Sequence, residues 1–375
     1  MTNRFKKIVL PLIVSLIPSV AAVGQTPSLK DVYKDDFLIG VAMNRAQIDG
    51  KASVDIQIIK HQFDAISPEN ILKWEPVNPK PGVYNFGPVD RYVAFGQKNH
   101  MFILGHNLVW HKQVPKWIFL DKQGNLVNRN TLLQRMQKHI EKLVGRYKGR
   151  INAWDVVNEA IDEDGSLRNT KWLQIIGPDY IAKAFEFAHA ADPDAELYYN
   201  DFNLDDPAKR NGVIRLVKKL QDEGIHVDGI GMQGHWNLHS PSLKNIDASI
   251  EAFSKLGVKV MITELDIGVL PAPPHKDDPP PSIRHSKDPA YNPYANGLPD
   301  SVKNALADRY SSLFKVVLKH KDVISRVTFW GLNDKETWKN DWPIINRKDY
   351  PLLFDRNNQP KKAFHQIIKI GQESN

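Results

Sequence analysis

The chain has 375 residues, 42% of them hydrophobic and 25% charged, with a formal net charge of +7 and no cysteine. It is long enough to bury a large core, and its basic residues form no dense tract of the kind a nucleic-acid surface needs. A disulfide framework is excluded, and so is a lipid-anchored cysteine behind a leader.

Residues 1–24 run from Arg4, Lys6 and Lys7 through an apolar stretch, 8–17, to the small residues Ala21, Ala22 and Gly24. This is the pattern of a secretory signal peptide cut near Gly24/Gln25. Its apolar stretch is too short to remain as a membrane anchor. The expected mature chain, 25–375, is a soluble, monomeric protein, secreted or periplasmic, with neither a membrane nor a nucleic acid as partner.

Past the leader, short apolar runs alternate with stretches whose apolar residues share one helical face. The runs are 37–43, 65–66, 102–104, 153–157, 197–199, 230–232, 260–262 and 327–330. Helical spacing is clear over 131–147, 180–190 and 301–320. Alternating strand and helix predict a parallel α/β sheet, and eight such units predict a single closed (β/α)8 TIM barrel. Nine of the 25 prolines fall in 269–300, after the seventh run. That segment reads as a stiff, irregular insertion within one unit, not as a linker between domains. Its Tyr291 and Tyr294 read first as packed on the barrel, and second as an added aromatic platform at the rim.

A barrel gathers the polar residues behind each run at one face, the carboxyl ends of its strands. Glu69, Asn70, Lys73 and Trp74 follow the second run. His106, Asn107, Trp110, His111 and Gln113 follow the third, and Asn158 and Glu159 the fourth. Asn200 and Asp201 follow the fifth, Gln233, His235 and Trp236 the sixth, and Thr263, Glu264 and Asp266 the seventh. Trp330 closes the eighth, with Asn333 and Trp338 beyond it. Two glutamates, Glu159 and Glu264, thus end the fourth and seventh runs, among amides, histidines, one lysine and several indoles. Neutral donors and acceptors suit hydroxyl groups, indole faces suit sugar rings, and a carboxylate pair suits cleavage of a glycosidic bond.

Plainer readings apply to several of these residues. Trp74 and Trp154 read as core or support. His111 reads as structural, and Asp155 and Asp266 read as supports for neighbouring groups. Asn200 and Asp201 read as turn residues outside the site. His106 and His235 lack the close ligand spacing of a zinc motif, so neither a metal nor a cofactor is expected.

The strings Trp154-Asp-Val-Val-Asn-Glu-Ala160, Ile262-Thr-Glu-Leu-Asp266, Gly105-His-Asn-Leu-Val-Trp-His111 and Glu69-Asn-x-x-Lys-Trp74 resemble motifs of glycoside hydrolase family 10, the endo-β-1,4-xylanases. Gln233-Gly-His235, Trp330 and Trp338 extend the resemblance over nearly all of the mature chain. It implies a retaining xylanase acting on xylan and xylo-oligosaccharides, with Glu159 as acid/base and Glu264 as nucleophile. It places Asn158 at the sugar 2-hydroxyl, His235 on the nucleophile with Asp266 behind it, and Gln233 near the cleaved bond. Glu69, Asn70, Lys73, His106, Trp110, Gln113, Trp330 and Trp338 become contacts on the glycone side. The Glu264 charge is expected to raise the pKa of Glu159 and keep it protonated. The alternatives are a β-1,4-glucanase or mixed-specificity glycosidase on the same barrel, and a polysaccharide-binding protein without activity.

Overall fold

The computed structural model describes residues 27–271 and 282–374. The leader expected at 1–24 lies outside the described residues, and so does the middle of the proline-rich segment. Eight strands form the barrel: β1 (Leu38–Met43), β2 (Ala65–Pro68), β3 (Phe102–Val109), β4 (Ala153–Asn158), β5 (Glu196–Asp201), β6 (Gly229–Met232), β7 (Lys259–Gly268) and β8 (Ile324–Phe329). Each runs parallel to the next, and β8 returns to pair with β1, Gly40 lying opposite Thr328. The (β/α)8 barrel expected from the alternation is present, closed and without a free edge.

Most of its strands are longer than their apolar runs, β3 and β7 by the most. β3 reaches Val109 and β7 reaches Gly268, because the backbone goes on pairing after the side chains turn polar. His106 stays opposite Asp155, and Leu265 stays opposite Phe329. Glu264 therefore sits inside a strand, not in the loop behind one. A further short strand, His235–Asn237, pairs with the far end of β7 and sets His235 opposite Asp266.

The barrel is filled by side chains. Leu104, Ala153, Tyr198 and Met261 form a small inner cluster. The buried Arg326 guanidinium lies 5.1 Å from the Phe102 ring and 5.6 Å from that of Tyr198. The larger core lies between strands and helices, where burying one large apolar side chain is worth roughly 1.5–3 kcal/mol.

The helix Arg129–Tyr147 shows how sequence sets this packing. Asn128 caps it by accepting from the Thr131 amide, and Leu132, Met136, Ile140, Leu143 and Tyr147 line its buried face. His139 on the same face stacks on Trp74 at 3.7 Å, and Trp74 stacks on Trp172 at 5.4 Å. Trp74 is thus core, as is the fully buried Trp154. The Trp154 ring lies so close to Gly105 that any Cβ there would run into it.

The described flanks of the proline-rich segment are tied to the loop after β8. Arg347 donates to the carbonyls of Pro271 and Tyr291, and the Tyr350 hydroxyl donates to the Tyr294 carbonyl at 2.9 Å. The Tyr294 side chain is half-buried against the core, and the Tyr291 ring rests on His285 at 4.8 Å.

Candidate active site

Glu264 leaves β7 with its carboxylate almost fully buried. Its Oε1 accepts from Asn200 Nδ2 at 2.8 Å, and the same amide donates to Asn158 Oδ1 at 2.8 Å. Asn200 Oδ1 in turn accepts from the Thr263 hydroxyl at 2.6 Å. Gly231 lies opposite Asn200 in the sheet. A Cβ on Gly231 would collide with the Asn200 amide and stand 2.8 Å from Thr263 Cγ2.

The second oxygen of Glu264 faces His235. His235 Nε2 lies 3.1 Å from Glu264 Oε2, and Nδ1 lies 3.0 Å from Asp266 Oδ2. Burial pushes the His235 imidazole down, but the Asp266 and Glu264 carboxylates outweigh it and raise its pKa to about 9. At neutral pH the ring is a cation donating through both nitrogens. Asp266 also receives the Trp338 indole N–H at 2.8 Å and pairs with Lys339 at 3.2 Å. Burial pushes the Asp266 carboxyl up, while Lys339, His235 and Trp338 hold it below the usual carboxylate range.

Glu159 follows β4 directly, at φ 58°. This is a left-handed conformation that costs a non-glycine residue on the order of 1–3 kcal/mol. Its Oε2 accepts the Trp110 indole N–H at 2.8 Å, and its Oε1 accepts Gln233 Nε2 at 3.1 Å and Asn158 Nδ2 at 3.3 Å. Burial raises the Glu159 pKa, but His111, Gln233, Lys112 and Trp110 together bring it below the ordinary value. The expectation of a raised pKa is therefore corrected: the pull of the surrounding donors exceeds burial, and the Glu264 charge is not among the leading influences. His111 is itself pushed down to about 4, first by burial. It charges only in acid, so at neutral pH the neutral donors and Lys112 do the holding.

The remaining candidates line the same mouth. Lys73 is buried, donates to Asn70 Oδ1 at 2.9 Å and sits 5.0 Å from the centre of the Trp110 ring. Burial lowers its pKa against the opposing pull of Glu264, Glu69 and Glu159. The Glu69 pKa is raised, by burial first. His106 Nδ1 lies 2.8 Å from Asp155 Oδ2, which fixes the ring edge-on to Trp330 at 5.3 Å. Trp330 also stands edge-on to His235 at 6.2 Å, and Trp338 at 5.0 Å. Gln113 stands further out, exposed at φ 48°, its carbonyl accepting the Glu75 amide at 2.8 Å.

Asn200 belongs to this assembly, against the reading that made it a turn residue. It is fully buried within β5 and touches Glu264 itself. The signal was available: it ends an apolar run in the same way that Asn158 does. Thr263 was seen behind the seventh run but given no part, Lys339 was passed over, and only the fold brings them to Asn200 and Asp266. Among the described residues, no cluster of three or more His, Cys, Asp or Glu is placed to hold a metal ion.

Two buried carboxylates in different surroundings, set among amides, histidines and indoles at the mouth of a (β/α)8 barrel, are the equipment of glycosidic cleavage and set the molecule among the glycoside hydrolases. The chain belongs to glycosyl hydrolase family 10, whose family model matches residues 28–370. It is 43% identical to the endo-1,4-beta-xylanase A of Xylanibacter ruminicola, over 95% of this chain and 96% of that one. To a beta-1,4-xylanase of Dictyoglomus thermophilum it is 42% identical, over 98% and 99% of the two chains. Among solved structures, a GH10 endoxylanase retrieved from sugarcane soil metagenome superposes with a TM-score of 0.87 at 45% identity, covering 92% of this chain and all of that one. A Paenibacillus barcinonensis xylanase complexed with a conduramine derivative gives 0.83 at 38%, covering 93% and 99%.

Proposed function

We propose that the protein is an endo-1,4-β-xylanase that cleaves internal bonds of xylan with retention at the anomeric carbon. The carrying observation is the linkage of Glu264 to Glu159 through Asn200 and Asn158, at the mouth of a family 10 barrel. Glu264 attacks the anomeric carbon, its charge met by the His235 imidazolium and the Asn200 amide. The bond to the departing sugar breaks as Glu159 passes its proton to the leaving oxygen. Water then attacks the anomeric carbon, Glu159 takes a proton from that water, and the bond from the sugar to Glu264 breaks.

Glu159 favours its charged form in the free enzyme. Substrate supplies the remaining push: a xylan chain in the cleft excludes water and draws Trp110 and Gln233 toward sugar oxygens. The burial contribution, which raises the pKa, then prevails. Asn158 is placed to meet the 2-hydroxyl, and Gln233 to meet the sugar at the cleaved bond. Glu69, Asn70, Lys73, His106, Trp110, Gln113, Trp330 and Trp338 provide the glycone-side surface, where Trp330 and Lys73 limit room for the hydroxymethyl group that glucose carries and xylose lacks.

Purified protein should release reducing sugar from xylan far faster than from a β-1,4-glucan. Proton NMR of early products should show the β-anomer first. Early α-anomer would make Glu264 a base instead of a nucleophile, and absence of release would leave only a binding protein. The leader at 1–24 directs the chain to a periplasm or the medium, where it works as a monomer. The exported protein should begin near Gln25 by mass and run as one chain in light scattering. Among the described residues no helix is long and apolar enough to cross a membrane.

A further inference from the structure

The turn that carries Glu159 has an unusually complete backbone accounting. The Glu159 amide donates to the Asn200 carbonyl at 2.9 Å, and the Glu159 carbonyl accepts from Arg168 Nε at 3.1 Å. The Ala160 and Ile161 amides both donate to the Tyr199 hydroxyl, each at 3.0 Å. The Ala160 carbonyl accepts from the Arg168 amide at 2.8 Å, and the Ile161 carbonyl accepts from Arg168 Nη2 at 3.3 Å. Thus every peptide N–H and C=O from 159 to 161 has a partner, and two residues outside the turn, Tyr199 and Arg168, supply most of them.

The Tyr199 hydroxyl is used to capacity. A phenol has one proton to give and two lone pairs to receive. Here it receives two amides and gives its proton to Asp201 Oδ2 at 2.5 Å. Asp201 is fully buried and cannot swing away, since Lys209, also fully buried, lies 3.0 Å from its Oδ1. The Lys209 ammonium is fixed in turn by Glu163 at 3.1 Å and by the Phe202 ring at 3.5 Å. None of Tyr199, Asp201, Lys209 or Arg168 has a side chain bonded to either catalytic carboxylate.

We propose that Tyr199, backed by Asp201 and Lys209, and Arg168 form a two-armed brace that positions Glu159 for proton transfer; this deepens the reading of Glu159 as the acid/base and rests on it. Held at a left-handed φ, the turn would relax to an ordinary conformation if its amides were released. The carboxyl would then swing off the line to the leaving oxygen. The Tyr199 ring packs in the core outside the barrel, so the brace acts from behind the site without facing the sugar. These are positioning residues, and their loss falls on one chemical step.

The test compares substrates that differ only in how much they need an acid. Tyr199→Phe keeps the ring and deletes the hydroxyl, and Arg168→Ala removes the second arm. Both are assayed on β-xylobiosides with a dinitrophenyl and with a phenyl leaving group. With dinitrophenyl, kcat/KM should stay within about twofold of the unchanged protein, because that group departs without a proton. With phenyl it should fall about 10- to 100-fold, the penalty expected for a misplaced catalytic group. Equal losses on both substrates, or none on either, would overturn the brace. If Tyr199→Phe fails to fold, as read by its thermal melt, Arg168→Ala carries the same comparison from the half-buried side of the turn. Glu159→Ala runs alongside: if it shows no dependence on the leaving group, the acid/base assignment fails before the brace is judged.

Discussion

The two halves of the catalytic centre hold their glutamates in opposite ways. Glu264 grows from within β7 and is met by an imidazolium whose far nitrogen is anchored on Asp266, itself held by Trp338 and Lys339. Glu159 sits on a left-handed turn, met by an indole and two amides. One environment meets a fixed negative charge with a fixed positive one. The other favours the charged form in the free protein and depends on what else enters the cleft. Two like carboxyls acquire different tasks from their surroundings, with no difference in their own chemistry.

The largest way to break the contrast is to delete each carboxylate. Glu264→Ala should lower kcat on every substrate by about 10⁴-fold or more. Glu159→Ala should cost about 10² to 10⁴-fold on xylan while sparing the first step on dinitrophenyl xylobioside. Matching profiles for the two variants, read by pre-steady-state release of dinitrophenol, would erase the distinction.

Next in size is Asn200→Ala. It removes the amide that joins Glu264 to Asn158, a hydrogen bond to a charged group worth roughly 1.5–3 kcal/mol, or about 10- to 100-fold in kcat/KM. An unchanged rate would return Asn200 to a purely structural part.

The His235 cation gives a smaller effect, visible against pH. Its pKa is raised from 6.5 to about 9, so its ion pairs with Glu264 and Asp266 stabilise the fold fully below about pH 6.5 and are lost as pH rises through about 9. The melting temperature of the native protein should therefore approach that of His235→Gln across this window. A break in kcat/KM near pH 9, lying on the alkaline side of the fall set by Glu159, should be present in the native protein and absent from the glutamine variant, which donates but does not titrate. A break that persists would belong to another group.

The smallest expected effect lies in the proline-rich segment. Tyr291 rests on His285 and is tied through its carbonyl to Arg347. Tyr291→Ala should change stability by no more than about 0.5 kcal/mol and leave kcat/KM on long xylo-oligosaccharides unaltered. A loss confined to the long substrates would make the tyrosine part of the sugar-binding surface.

Much of this was legible in the chain. Apolar runs separated by helical stretches were enough for the barrel, because strand period, helix period and loop polarity each leave a local mark. Glu159 and Glu264 were legible because strand ends are where a barrel gathers chemistry. Asn200 stood in the same position and was misread, since one amide after an apolar run looks the same in a turn and in a site. The direction of the Glu159 pKa was not legible either. It depends on Trp110, Gln233, His111 and Lys112, which come together only when the closed barrel brings the ends of β3, β4 and β6 to one mouth. The link between His235 and Asp266 was anticipated, but the short strand that enforces it is three residues long and carries no pattern of its own.

The amide at the centre of the site has its place because Gly231 has no side chain. A catalogue of functional groups would pass over that position, which contributes no charge, no donor and no ring. Yet Asn200 can reach Glu264 and Asn158 together only through the space left there. Anyone redesigning the cleft for other polymers can vary the indoles and the rim, but β6 has to be inherited as it stands. Part of what this protein needs to work is recorded in it as an omission.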